Sequence, residues 1–349
     1  DDYHRWLSKT PYAGLERATS IGNNDVFARR SVVPETHHVN TWTANECIDF
    51  LDRRDPTCPF FLWMSFSRPH SQYDPPDPYD QMYDLGEIPP PIATPDGEFL
   101  PPQLRDLSRR YDWDKMSSKQ IARARQHYLG QITHIDHQIG RFLSALRWKG
   151  LFDNTLVLFT SDHGDMMGDF GLFFKSHFFE GSGRIPMILR PPRSWEGTVP
   201  SQRFERPVSL VDLFPTLISA AGGQVTDLVG GVSLLPITEG DDPIGTRVFH
   251  GEIGKEDQRH HCLTDGRTKY MWFRSGGAAF LFDLQEDPRE LRNLAGNEEL
   301  TRPWRTQLVE LLQSRNDTSV KEGKLLPTPY EIVSERELRS ADPFGRRPF

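Results

Sequence analysis

Asp162 and His163, within Thr160-Ser161-Asp162-His163-Gly164-Asp165, are the residues of this chain best suited by type and placement to do chemistry. They follow the apolar run Thr155-Leu156-Val157-Leu158-Phe159, which reads as a buried strand of a parallel sheet. In such sheets ligands bind beyond the carboxyl ends of the strands. Residues just past a strand escape its alternation of side-chain directions, so an acid and an imidazole beside a flexible glycine can face one point. That pattern builds a metal pocket. Taken alone, Ser-Asp-His-Gly-Asp serves equally well as an ordinary turn, because Asp, Ser and Gly are loop formers. The segment continues, however, through Lys175, Glu180, Gly181, Arg184 and Pro186 into a second apolar run.

The elements that must position this loop are partly legible. Ser117 opens a long helical pattern, with Ile121, Tyr128, Ile132, Ile135, Ile139, Phe142, Leu143 and Leu146 on one face and Arg123, Arg125, Gln131 and Gln138 on the other. Through Lys149-Gly150 it feeds the strand before the loop, a helix-to-parallel-strand unit. Upstream, Thr43 is a candidate cap for a helix over 44–51, and the run 60–66 reads as the first buried strand. Prolines crowd 69–102, a long irregular loop suited to a binding wall or lid. Downstream, a helix over 208–221 stops at Gly222-Gly223. Segments 247–253, 269–273 and 279–284, separated by Asp265-Gly266 and Gly276-Gly277, predict an antiparallel sheet. An amphipathic helix over 300–312 is expected to cover it. The tail after Glu322 is expected to be extended or wrapped on the surface.

At 349 residues the chain accommodates a large α/β domain, 1–245, and a smaller carboxyl-terminal subdomain, 246–349. A net charge of -8 disfavours nucleic acid as a partner. It leaves a small anionic substrate open, because the local field at a metal site outweighs the global balance. Three cysteines make no disulfide framework. No apolar run approaches the roughly 18 residues of a membrane span. Nothing in the pattern encodes localisation or oligomeric state.

The segment from Ser161 to Pro186 resembles the second metal-binding segment of the sulfatases of the alkaline phosphatase superfamily. That segment has the form S-D-H-G-D-x-x-G-D-x-G-L-x-x-K followed by E-G-x-x-R-I/V-P. Phe60 to His70, with Tyr73-Asp74-Pro75-Pro76, is similar to the family's strand and histidine loop, and Val211-Asp212-Leu213-Phe214-Pro215-Thr216-Leu217 to its late helix. Thr264 to Tyr270, Leu281-Phe282-Asp283-Leu284, Asp287-Pro288 and Asn293-Leu294-Ala295 are similar to its carboxyl-terminal subdomain. The resemblance implies a mixed, mainly parallel sheet flanked by helices, with a smaller antiparallel α+β subdomain. It implies hydrolysis of a small sulfate monoester to an alcohol and inorganic sulfate.

Residue by residue, the resemblance makes Asp162 and His163 metal ligands. Ca²⁺ is the metal it implies, while an imidazole on chemistry alone equally admits Mn²⁺ or Zn²⁺. Lys175 matches the lysine that contacts sulfate oxygens, where a flexible ammonium can follow the moving charge. His70 matches the histidine beside the leaving oxygen, and its near-neutral pKa suits it to donate a proton there. Asp165 and Asp169 are expected to brace the loop, His177 to serve it structurally, and Arg184 to anchor a strand start. Phe170 stands where the family commonly has histidine. The pairs His37-His38 and His260-His261 are expected to be solvated. The family also carries, upstream, paired aspartates and a C-x-P-x-R or S-x-P-x-R segment whose Cys or Ser becomes a formylglycine nucleophile. Cys47, Cys58 and Cys262 do not have that context. The expectation is therefore a chain lacking that segment and inactive alone. Two alternatives are a phosphonate monoester or phosphodiester hydrolase of the same superfamily and a non-catalytic homologue that binds sulfated ligands.

Overall fold

The computed structural model describes residues 1–330 apart from 20, 21, 23, 24, 200, 202, 227 and 228, so most of the anticipated tail lies outside the described residues. In chain order the elements are α1 (Asp2–Leu7), α2 (Val39–Arg53), α3 (Pro102–Arg110), α4 (Ser118–Trp148), β1 (Val157–Thr160), α5 (Glu180–Gly183) and β2 (Met187–Arg190). There follow α6 (Leu213–Ala220), α7 (Leu235–Thr238), β3 (Phe249–Ile253), β4 (His260–Thr264), β5 (Thr268–Phe273), β6 (Ala279–Asp283), α8 (Glu298–Ser314), β7 (Val320–Lys321) and β8 (Lys324–Leu325). They form two units. One comprises Asp1–Pro91 with Lys115–Thr155, the other Ile92–Asp114 with the chain from Leu156 onward.

In the first unit α4 starts where the sequence places it. Ser117 Oγ accepts from Gln120 N at 3.3 Å and Gln120 Oε1 accepts from Ser117 N at 2.8 Å, a reciprocal cap. Its faces differ from expectation. Gln131 and Gln138 are buried together with Gln126, His127 and His134, whereas Ile132 is exposed. The cause is the loop that crosses the helix, whose carbonyls need donors once water is excluded. Gln131 Nε2 donates to Gln72 O at 2.6 Å, Gln126 Nε2 to Tyr83 O at 2.6 Å, and the His127 ring meets Tyr73 O at 3.2 Å. A Cβ at Gly130 would lie 2.2 Å from Tyr79 O, so this crossing requires glycine. Helix α2 packs against α4 and begins earlier than expected, with His38 Nδ1 rather than Thr43 capping Asn40 N.

The run 60–66 is a correction. It is extended, but alternate residues are exposed, Phe61 at 71% and Trp63 at 81%, and none of the backbone hydrogen bonds of the described residues involves it. It is thus not buried, and among the described residues it joins no ladder. In the second unit β1 pairs antiparallel with β2, Phe159 opposite Ile188, and the only parallel contacts among the described residues are isolated bridges. The mixed α/β class stands. Among the described residues the ladder that β1 makes is the antiparallel one with the strand that returns from the loop.

Strands β3 to β6 form the anticipated antiparallel sheet in sequential order. β4 escaped the sequence pattern because His-His-Cys-Leu-Thr has little β-branched alternation. One face of the sheet packs Leu263, Tyr270, Trp272 and Leu281 against Leu308 and Leu312 of α8. On the other, Phe280 and Phe282 meet Phe179 at 6.0 and 6.2 Å between ring centroids, and Phe179 meets Phe170 at 4.9 Å. Each such ring pair contributes about 0.5–1.5 kcal/mol beyond its burial. Helix α6 ends at Gly222 with φ 74°, the left-handed stop expected.

Three of the four paired histidines are also not solvated, His37 being half-buried. His38, His260 and His261 are buried, and His260 and His261 stack on Phe273 and Trp272. Burial holds His127, His134, His260 and His261 at about 4 and His177 at about 3, and drives His38 well below the ordinary value. Their folded pKa values are depressed, so the unfolded chain takes up protons first as pH falls below about 6.5. Stability is then full above that pH and is lost progressively toward 4. Asp74 and Glu290, raised by burial, act in the opposite sense but are fewer. The urea midpoint should therefore drop between pH 7 and pH 5, and a midpoint flat or rising over that interval would contradict buried neutral histidines.

Candidate functional site

Beyond β1 the chain turns so that Asp162 and His163 adjoin. Ser161 Oγ donates to His163 O at 2.7 Å, and Asp162 Oδ1 accepts from His163 N at 3.0 Å. His163 Nδ1 lies 2.7 Å from Gly164 O, a carbonyl that can only accept, so Nδ1 donates there and Nε2 is the nitrogen left to face a cation. Nε2 is 3.4 Å from Asp162 Oδ2. An imidazole oriented by a backbone carbonyl beside a largely exposed carboxylate is a donor pair that fits adjacent positions on one divalent cation. These two residues supply only part of the shell that Ca²⁺ takes.

The loop is held by its own acids. Asp165 Oδ1 accepts from Met167 N at 2.9 Å and from Phe174 N at 2.8 Å, and Asp169 Oδ1 from Ile92 N at 2.8 Å, so both brace the backbone as anticipated. Met167, Phe170, Phe174 and Ser176 have φ of 49°, 55°, 62° and 85°. Left-handed backbone at non-glycine residues costs on the order of 1 kcal/mol or more each and persists where the surroundings over-determine it. Lys175 therefore sits between two strained residues. It is half-buried, and desolvation lowers its pKa from the ordinary value while Asp165 and Asp162 oppose the shift. Phe170 packs in the aromatic cluster described above, and His177 is fully buried beside Phe179.

The segment 180–184 locks the loop from behind. Gly164 N donates to Ser182 O at 2.8 Å, and a Cβ at Gly164 would lie 2.2 Å from Gly181 O. A buried charge cluster then fixes Glu180. Lys269 Nζ donates to Glu180 Oε1 at 2.5 Å, Glu290 Oε1 at 2.9 Å and Phe178 O at 2.8 Å, while Glu290 Oε2 accepts from Glu180 N at 2.7 Å. Sequence reasoning passed over Lys269 and Glu290. The signal was a lysine at an inward position of β5, sharing its face with Met271 and Phe273. Arg184 does not anchor β2; its exposed side chain pairs with Glu180 at 3.5 Å.

His70 belongs to the first unit. Its Nδ1 lies 3.0 Å from Ser71 O. The following loop is tied down by the Arg68–Asp74 pair at 2.9 Å and by Gln131, which reaches Asp74 Oδ1 at 3.2 Å.

The fold that carries the Asp-His turn is shared with solved hydrolases of the alkaline phosphatase superfamily. The chain belongs to the sulfatase family: the model of the Sulfatase domain matches residues 5–223, and that of the N-sulphoglucosamine sulphohydrolase C-terminal region matches 168–317. The chain is 36% identical over 343 residues to an arylsulfatase of Clostridium perfringens, covering 97% of this chain and 71% of the relative. It is 33% identical over 245 residues to a choline-sulfatase of Rhizobium meliloti, covering 68% of this chain and 47% of that one. Among solved structures, the phosphonate monoester hydrolase of Agrobacterium radiobacter superposes with a TM-score of 0.74 at 25% identity, covering 90% of this chain and 69% of its own.

Two substitutions test the lock. Gly164→Ala must displace the 180–184 segment, so cation affinity at the Asp-His pair should fall at least tenfold with the fold retained by circular dichroism. Lys269→Met leaves the buried Glu290 carboxylate facing the partly exposed Glu180 without a counter-charge and should cost about 3–5 kcal/mol in denaturant unfolding. Wild-type behaviour of either variant would show that the crossing does not hold the loop.

Proposed function

We propose that this chain supplies the metal loop, sulfate contact and leaving-group acid of a sulfuric ester hydrolase that cleaves a small sulfate monoester to an alcohol and inorganic sulfate. The observation that carries the reading is the Asp162–His163 donor pair, 3.4 Å apart with the imidazole oriented by the Gly164 carbonyl, in the same braced loop as Lys175. The relatives named arylsulfatase and choline-sulfatase support it. The division into a catalytic domain, 1–245, and a subdomain, 246–349, is part of the proposal.

In this reading Asp162 and His163 hold the cation, Ca²⁺ in preference to Mn²⁺ or Zn²⁺. When bound, such a cation neutralises sulfate charge and lowers the pKa of a coordinated oxygen. Lys175 grips the sulfate oxygens, and its strained flanking backbone limits the directions its ammonium can take. His70, neutral after giving up its proton to the leaving oxygen, recovers it from water. No C-x-P-x-R or S-x-P-x-R segment occurs in these 349 residues, so the chain alone is expected not to turn over. Metal-dependent hydrolysis of an aryl sulfate by this chain would refute that part.

A phosphonate monoester hydrolase is the second reading, favoured by the solved relative of that name. Full-length enzyme should turn over p-nitrophenyl sulfate faster than phenyl phosphonate, and the reverse order would transfer the assignment. In the same enzyme Lys175→Ala should lower kcat/KM by about 10²–10³-fold. His70→Ala should cost about 10²-fold or more on an alkyl sulfate and much less on p-nitrophenyl sulfate, whose leaving group needs little protonation. Equal losses on both substrates would remove His70 from the acid role.

A further inference from the structure

The geometry points to a separate metal site on the outer edge of the four-stranded sheet, in which His250, Glu252 and His261 hold a borderline divalent ion such as Zn²⁺. His250 and Glu252 are two apart on β3 and so project from one face, and Glu252 is the register partner of His261 on β4. His250 Nε2 lies 3.1 Å from His261 Nδ1, and His261 Nδ1 lies 3.9 Å from Glu252 Oε2. One donor atom from each residue falls within 4.8 Å of the others. Two ligands at 2.0–2.1 Å on a tetrahedral ion are separated by about 3.3 Å, so small side-chain rotations suffice. Two imidazoles and one carboxylate, with a fourth position left for water, suit Zn²⁺ or Co²⁺ better than the hard cations favoured by oxygen-rich shells.

The surroundings prepare these nitrogens. His261 is fully buried, stacked on Trp272 at 5.9 Å, and burial holds it at about 4. His250 is also lowered, by burial and then by Arg315. The two imidazoles and the Glu252 carboxylate converge on one candidate cation position. One group opposes it. Arg315, the residue after α8, donates to His250 Nδ1 at 3.1 Å, which places the ring proton on Nε2, between the two histidines. Coordination at Nε2 moves that proton to Nδ1, so Arg315 must swing away. Arg259, 3.5 Å from the Glu252 carboxylate, must likewise share it. The result is a site whose affinity the Arg315 side chain restrains.

Co²⁺ is the probe, because tetrahedral coordination gives intense visible bands. The titration uses the whole chain with Asp162→Asn, which silences the loop pair. One equivalent should bind with tetrahedral bands and be displaced by Zn²⁺. His250→Gln and Glu252→Gln, both at incompletely buried positions, should each weaken binding at least tenfold without changing the circular dichroism. Arg315→Ala should tighten it several-fold. Absence of saturable binding at millimolar Co²⁺, or an isotherm unchanged by His250→Gln and Glu252→Gln, would overturn the site; unchanged affinity in Arg315→Ala would overturn the restraint.

Discussion

The contact on which the second unit depends is the backbone crossing at Gly164 and Gly181. It leaves no room for a side chain at Gly164, and its single hydrogen bond, Gly164 N to Ser182 O, joins the donor pair to the segment leading into β2. Because β1 and β2 are themselves paired, the loop between them is closed at its base and fastened again at the crossing. A loop closed twice loses most of its conformational freedom before any ligand arrives, which is what a site that must act by fixed electrostatics requires.

What fastens the crossing is unusual in kind. A buried lysine, a buried glutamate and the partly exposed Glu180 bind one another and the backbone at Phe178 and Glu180. Buried ion clusters contribute little net stability against an apolar alternative, but each member is costly to remove. The cluster therefore specifies where the chain runs more than it stabilises the fold. The bulk of the cohesion comes from the aromatic rings that link Phe170 and Phe179 to the sheet. Position and stability are thus supplied by different interactions on the same sheet face.

Much of this was legible in the sequence. The Asp162-His163 turn, the Ser117 cap, the glycine stop at 222 and the antiparallel subdomain follow from local rules, and Asp165 and Asp169 were placed as braces. The failures share a cause. Gln131 is buried against the Gln72 carbonyl, Gln138 against the Glu35 carboxylate and His261 against the Trp272 ring, and no periodicity records a partner distant in sequence. The run 60–66 has a strand's composition but no ladder, because pairing depends on a partner as well as on the strand. Lys269 was hidden for the opposite reason: a lone charge in a strand reads as solvent-facing until its two carboxylates are located.

The central claim is that Asp162 and His163 bind one cation in the orientation their loop already holds. The most direct measurement is an anomalous difference map from crystals of the full-length enzyme soaked in Mn²⁺. The account predicts a peak within bonding distance of both an Asp162 carboxylate oxygen and His163 Nε2, with Nδ1 still on the Gly164 carbonyl. A well-occupied active-site metal that leaves either residue unliganded would contradict it.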